Sequence, residues 1–452
     1  MFYIALLSAF LLGLSIVNFI SREFSIYEKT GASFLLGIGV TTLVMFIYEI
    51  FNIPINLVSL LIFQVVAIAA LNYKVLNNRE LLKINLQKSD YIQFTFTWFF
   101  FAGLILYFLY GVIMKGIYWP SAEYDSLTGY DLMAKMIARE GTLNTSIFEY
   151  PRNSTYEVAR FVYPPLTAGS FAYAYIFGMD SPKLMMILLF LSFLVSFYGL
   201  IRKTINDSWS ILFTFLMMVT PEMFSHASLS LTNLPNAIYT SLAIISIIYW
   251  LEKKELRYFI LSLLLLIIST WSRSDSIVFC AVIGLILLLH ALKTKEWKLP
   301  IIYCFISVIP FIVWSVFVKL NIGANSADFF VKELFWDGEK FSMILKKCLT
   351  LILGNGMYYG ITFYAFVIIL ALNSIEIFKT KNNFAIVTVT GWLLYTLLYY
   401  QMDYSFAGSV DAYINASYKR GMFNFIPLCW FFIATSPLSL KTIGKMDKFL
   451  FN

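Results

Sequence analysis

The chain has 452 residues, of which 60% are hydrophobic, 18% aromatic and only 13% charged, with a net charge of +7. A mean hydropathy of +0.77 lies well beyond the range of a soluble domain and excludes a soluble enzyme or nucleic-acid-binding module. The apolar residues come in runs of about 20, the length that crosses hydrocarbon as a helix, so the short alternating strands of a β-barrel are excluded as well.

The sequence predicts an all-α polytopic membrane protein with about thirteen transmembrane helices: 1–20, 33–50, 54–73, 91–114, 183–201, 208–224, 234–251, 258–270, 277–292, 299–318, 357–378, 384–401 and 421–437. Residues 163–178 form one further apolar stretch, expected in the interface. With that stretch not crossing, seven short segments fall on one side, among them the turns of Arg202/Lys203, Lys253/Lys254/Arg257 and Lys441/Lys445/Lys448. They carry 19 of the 33 basic residues, which makes that side cytoplasmic by the positive-inside rule. The net charge is therefore a topology signal, and no nucleic-acid partner is expected. No small-residue cleavage site follows the first span, so it is expected to be retained.

Three long segments then face outside: 115–182, 319–356 and 402–420. The chain divides accordingly into a three-helix N-terminal addition (1–90), a core with its external loop 115–182 (91–300), and C-terminal helices with the other two loops (301–452). The four cysteines have no CxxC spacing and are expected to be buried free thiols. No glycine-rich GxGxxG follows a strand and opens a helix, so a nucleotide site of the Rossmann or P-loop kind has no home.

The polar island EYDSLTGYDLMAKMIAREG, Glu123 to Gly141, begins where the fourth span ends. Tyr118 and Trp119 anchor that span at headgroup level, and Pro120 closes it. The pattern Leu127, Tyr130, Met133/Ala134, Ile137/Ala138 has a helical period, and Gly141 is a good stop. An amphipathic juxtamembrane helix is expected, its apolar face on the bilayer. Asp125 could serve as an ordinary N-cap. It is also one of two close carboxylates, Glu123 and Asp125, which would face the same way if the segment were extended.

The island resembles the first external loop of the GT-C superfamily of integral-membrane glycosyltransferases, which includes protein O-mannosyltransferases, oligosaccharyltransferases and the lipid A aminoarabinose transferase. YPPL (163–166) is similar to the motif that closes that loop. TPEMFSHASLSLTNLP (220–235) resembles the second outer turn, TWSRSDS (270–276) a later basic-acidic turn, and YKRGMFNFIP (418–427) the segment opening a late helix. In the second turn an acid is common where this chain has Asn233, and Glu-Tyr-Asp replaces an adjacent acidic pair.

The resemblance implies a GT-C fold and an inverting transfer of a sugar from a polyprenyl-phosphate donor. The acceptor would be a glycan, lipid or protein at the outer face of a membrane of the bacterial cytoplasmic type, with membrane lipids as surroundings. Asp125 would be the general base, because an attacking hydroxyl must lose its proton to a group within hydrogen-bond reach. Glu123 would assist it. Arg420, Arg273 and Lys419 would meet the leaving phosphate. Tyr130, Tyr163 and Asn233 would line the substrate. Glu222 and His226, four residues apart, could share a divalent metal (Mg, Mn or Zn) with Glu123 or Asp125. Two other classes fit the composition: an O-antigen polymerase or ligase type enzyme, and a lipid or solute transporter. The latter normally leaves ionisable residues in mid-membrane, where this chain has almost none.

Overall fold

The structure, a computed structural model, describes residues 1–77, 91–148, 163–322, 336–354, 356–380, 382–402 and 409–451. Parts of all three long loops (149–162, 323–335, 355 and 403–408) and 78–90 of the N-terminal segment lie outside the described residues. Every regular element among the described residues is helical. In chain order the α-helices are α1 (Phe2–Ile20), α2 (Ile26–Ile50), α3 (Leu57–Asn77), α4 (Phe96–Tyr118), α5 (Asp131–Glu140), α6 (Leu166–Ile176) and α7 (Lys183–Ile201). There follow α8 (Asp207–Met218), α9 (Pro221–His226), α10 (Asn233–Lys253), α11 (Leu256–Thr270), α12 (Ile277–Thr294), α13 (Lys298–Ile322) and α14 (Gly338–Leu353). The last are α15 (Gly356–Tyr359), α16 (Thr362–Leu372), α17 (Ser374–Thr380), α18 (Asn383–Tyr400), α19 (Val410–Met422), α20 (Ile426–Thr435) and α21 (Pro437–Phe451).

Among the described residues, eight helices are long and apolar enough to cross a membrane, or nine if the bent pair 410–435 and 437–448 is one span. The remaining expected spans fall on shorter apolar helices, at Leu57–Tyr73, Asp207–Met218, Leu256–Thr270 and Thr362–Leu372.

Helix α10 is the axis of the bundle. It is enclosed on every side: 94% of its most apolar window is buried, and its Asn236, Thr240, Ser241 and Ser246 are buried as well. Helices α7, α11, α12, α18 and α20 pack around it. Helix α4 is the opposite case, with only 17% of its window buried. Its Phe96, Leu106, Tyr107 and Tyr110 point outward, as expected of a face solvated by lipid. The N-terminal three helices share the core: α2 is enclosed by α6, α7 and α11, and Tyr239 of α10 donates to the Leu35 carbonyl of α2 at 2.7 Å.

The juxtamembrane helix forms where expected, but its apolar face meets protein. Met133, Ala134 and Ile137 are buried at 3%, 0% and 0% exposure and α5 packs on α6, so the helix does not lie on the bilayer with that face. Gly141 ends it in the left-handed conformation, φ +73, which glycine adopts without Cβ strain. The turn is then held from α2: the Glu49 carboxylate accepts from Leu143 N–H at 2.6 Å and from the Thr142 hydroxyl at 2.7 Å. The Gly141 carbonyl accepts from Ile55 N–H at 2.7 Å. Helices α5 and α6 are tied further where the Tyr175 hydroxyl donates to Asp131.

Candidate functional site

The ends of α4, α7, α10, α11, α12, α18 and α19, with the short helix α9, bring the polar residues of the five segments 123–130, 163–166, 220–235, 270–276 and 418–427 to one end of the bundle, with Lys183 and Tyr395. Helix α4 stops because Pro120 cannot continue it, and Trp119 before it is extended, φ −96, ψ 123. The chain re-enters helix at Tyr124, with a π turn over Ser126–Tyr130 ahead of α5, a distortion of the kind that accumulates at functional sites.

Helical geometry separates the two carboxylates expected to act together. Glu123 stands just before the helix, its carbonyl accepting from Ser126 and Leu127 N–H, Asp125 lies in its first turn, and the two engage different partners. Glu123 lies 3.6 Å from the ammonium of Lys183, a side chain only 1% exposed, which also donates to the Pro120 carbonyl at 2.9 Å. Glu123 accepts from Ala122 N–H as well, at 3.2 Å. Asp125 makes no cap hydrogen bond, so the N-cap reading does not hold. It accepts from Nη1 of Arg420 at 2.8 Å, across 295 positions of sequence. The pair is partly open, with side chains 22% and 42% exposed.

Arg273 is held differently. Its Nε and Nη2 donate to both oxygens of Asp275 at 2.9 and 3.2 Å, and its Nη1 donates to Thr232 and Asn233 at 2.9 and 2.7 Å. Four of its five N–H groups are thus engaged. Asp275 also accepts from the Tyr395 hydroxyl at 2.7 Å. Both members of this ion pair are about nine-tenths buried, so it is not a surface pair. Tyr395 reaches Asp275 because Gly421, beside Arg420, leaves room for its ring. A Cβ at Gly421 would stand 2.1 Å from the Tyr395 hydroxyl.

The guanidinium of Arg273 lies 4.9 Å from the centre of the Tyr163 ring, and Tyr130 packs on Tyr163 at 6.3 Å. Burial raises the pKa of the Tyr130 hydroxyl far above its ordinary value, and Tyr163 and Asp125 push it further. Arg273 and a hydrogen bond with Thr232 pull against that shift without reversing it. Tyr130 is therefore a neutral donor within electrostatic reach of both Asp125 and Arg273. The hydroxyls of Ser126, Ser272 and Ser274, next to Asp125 and on either side of Arg273, are buried and have no hydrogen-bond partner among the described residues.

Glu222 and His226 do share one face of α9, with Nδ1 3.2 Å from the Glu222 carboxylate. The network around them also sets the tautomer. Arg273 can only donate, so the Asn233 oxygen faces it and the Asn233 amide nitrogen faces Nε2 of His226 at 3.3 Å. Nε2 then carries no proton, and Nδ1–H points to Glu222. Among the described residues no group of three or more His, Cys, Asp or Glu could hold a metal ion. Glu123 and Asp125 are committed to Lys183 and Arg420. Glu222 and His226 supply two ligands, and one of them is already capped by Asn233, so this set does not fit a metal centre. Lys419 stands apart from its neighbour: its ammonium is 4.5 Å from the Tyr358 ring, and its carbonyl accepts from Tyr359 at 2.8 Å.

Of the expected site residues, Asp125 and Arg420 are in contact. Tyr130, Tyr163, Arg273, Asn233, His226 and Glu222 form a second connected group beside them. Glu123 and Lys419 lead elsewhere. Lys183, Asp275 and Tyr395 were not expected to organise the site. Asp275 carried a signal, an acid two residues from Arg273 in TWSRSDS, and Lys183 opens an otherwise apolar run; Tyr395 carried none. No protein-family model, no curated protein and no solved structure matches the chain.

Proposed function

We propose that the protein is an inverting glycosyltransferase of GT-C type. It would move a sugar from a polyprenyl-phosphate donor to a glycan, lipid or protein acceptor at the outer face of a bacterial cytoplasmic membrane, with the full set of thirteen spans crossing. The observation that carries this reading is the Asp125–Arg420 pair, a partly open carboxylate and guanidinium at the membrane end of α4. A proton acceptor and a phosphate-binding cation are the two groups such a transfer needs, and here they stand 2.8 Å apart.

The pairing gives the reaction an order. The lipid phosphate competes for the fork of Arg420, whose one hydrogen bond among the described residues, to Asp125, leaves other donors for two oxygens. As Arg420 turns to phosphate, its hold on Asp125 is shared with the donor, and the carboxylate can accept from the acceptor hydroxyl. The acceptor oxygen attacks the anomeric carbon, its proton passes to Asp125, and the bond to the phosphate oxygen breaks with its electron pair. Charge growing on that phosphate is met by Arg420. Arg273, nearly saturated, shapes the wall that carries Tyr163 and Tyr130 and offers one remaining N–H. The unpartnered hydroxyls of Ser126, Ser272 and Ser274 are suited to sugar or phosphate oxygens, since a buried hydroxyl without a partner costs about 1–3 kcal/mol. Glu123, held by Lys183, fixes the loop. No step is assigned to a metal.

Purified protein would be incubated with a panel of polyprenyl-phosphate sugars, with and without chelator, and with mixed acceptors. Transfer from at least one donor that survives chelation and is lost in Asp125→Asn is the expected result. Full transfer by Asp125→Asn would remove Asp125 as the base.

A further inference from the structure

We infer that the outward face of α21 is a binding surface for anionic phospholipid headgroups at the end of the bundle opposite the candidate site. Its side chains divide cleanly by angle. Leu440 and Ile443 pack on the core, and Asp447 accepts from Asn206 at 2.8 Å and from the indole of Trp209 at 3.0 Å. Lys441, Lys445 and Lys448 are all exposed. At about 100° per residue they fall within a stripe of roughly 60° on the face away from those docking residues. None of the three has an ion-pair partner among the described residues, and the one acid of the helix, Asp447, is turned inward.

The stripe lies where a leaflet would meet it. Asn206 caps α8, beside the Arg202–Asp207 pair, so α21 sits at the end that carries the basic turns. Its axis is bent by 54° from the preceding segment 410–435. That turn takes the three ammonium groups out of line with a span, and placing them in hydrocarbon would be strongly unfavourable. A row of charges about 10 Å long matches a sheet of headgroups better than a single small anion. The docked apolar side fixes the helix to the bundle, so the lysines remain facing one way.

The test uses the full chain in nanodiscs of phosphatidylcholine alone or with phosphatidylglycerol, read by hydrogen–deuterium exchange over 437–451. Attraction of one lysine to an anionic surface corresponds to about a fivefold factor. Exchange in the anionic discs should therefore be at least about tenfold slower, and 0.5 M salt, chosen as roughly a high-screening condition, should remove most of the difference. Lys441→Gln/Lys445→Gln/Lys448→Gln should abolish it, and Lys441→Arg/Lys445→Arg/Lys448→Arg should retain it. Equal exchange in the two lipids would overturn the inference, as would anionic protection that survives the glutamine variant.

Discussion

The two ends of the bundle use the same residue types to different ends. At the basic end, Glu28 is 3% exposed and its carboxylate completes the capping box of α2, pairs with Lys203 at 3.0 Å and accepts from Tyr258 at 3.1 Å. Arg202 meets Asp207, and Arg257 bridges Glu23 and Glu255. The inner pairs, Glu28–Lys203 and Arg202–Asp207, close on one another, with carboxylates 2% and 6% exposed. At the other end, Arg420 is 42% exposed and Asp125 22% exposed, with buried serine hydroxyls alongside that have no partner among the described residues. Charge left open beside unpaired polar groups is costly for folding, and it is the arrangement a ligand can complete.

The sharpest contrast comes from mutating one acid at each end. Asp125→Asn should lower transfer by about 10²- to 10⁴-fold, the usual contribution of a general base, while the melting temperature stays close to wild type. Glu28→Ala should do the reverse. It leaves Lys203, 20% exposed, with Tyr258 as its remaining partner and removes the Glu28 half of the capping box, at a cost of about 1–3 kcal/mol, visible as a drop in melting temperature with activity per folded molecule intact. A loss of both properties in both variants would dissolve the distinction between the ends.

Smaller effects separate the parts of the site itself. Gly421→Ala must displace Tyr395, and overpacking of that kind costs about 1–3 kcal/mol. Its diagnostic readout is a fall in transfer larger than the fall in stability, since Asp275 and Arg273 move with Tyr395. Arg420→Lys keeps the charge but loses the fork, so the donor KM should rise about tenfold with a smaller change in kcat. His226→Gln should change transfer by less than about threefold, and chelator should have as little effect, because the His226–Glu222 pair is built into an internal hydrogen-bond network. Strong chelator sensitivity lost in His226→Gln would contradict that reading.

Much of this was legible in sequence because it follows from single-segment physics. Apolar run length announced the spanning helices, and the break at Pro120 followed within a few residues by Glu123 and Asp125 marked the polar island, within which the GT-C resemblance singled out Asp125. Arg420 was singled out by the resemblance of YKRGMFNFIP (418–427) to the GT-C segment that opens a late helix. What sequence could not carry was the identity of the covering surface. Periodicity in 127–138 shows that one face of α5 is buried, but only the fold shows that α6 and not lipid covers Met133 and Ile137. Glu123 and Asp125 were expected to act together on the assumption of extended backbone. A helical turn begun at Tyr124 points them apart. The Arg273–Asp275 pair is local to TWSRSDS, but the bond from Tyr395 that holds Asp275 joins residues 120 positions apart, and no local pattern encodes it. The GT-C resemblance guided attention to residues that do assemble, while the glycosyltransferase reading rests on the chemistry of the assembled pair.

That reading is tested most directly by exchanging the pair: Asp125→Arg combined with Arg420→Asp, compared with each single variant for melting temperature and for sugar transfer. The account predicts that the exchange recovers the stability lost in the single variants, because an ion pair is restored, yet leaves transfer at the level of Asp125→Asn, because base and phosphate-binding group have traded places. Recovery of transfer together with stability would show that only the ion pair matters, and that Asp125 is not the base.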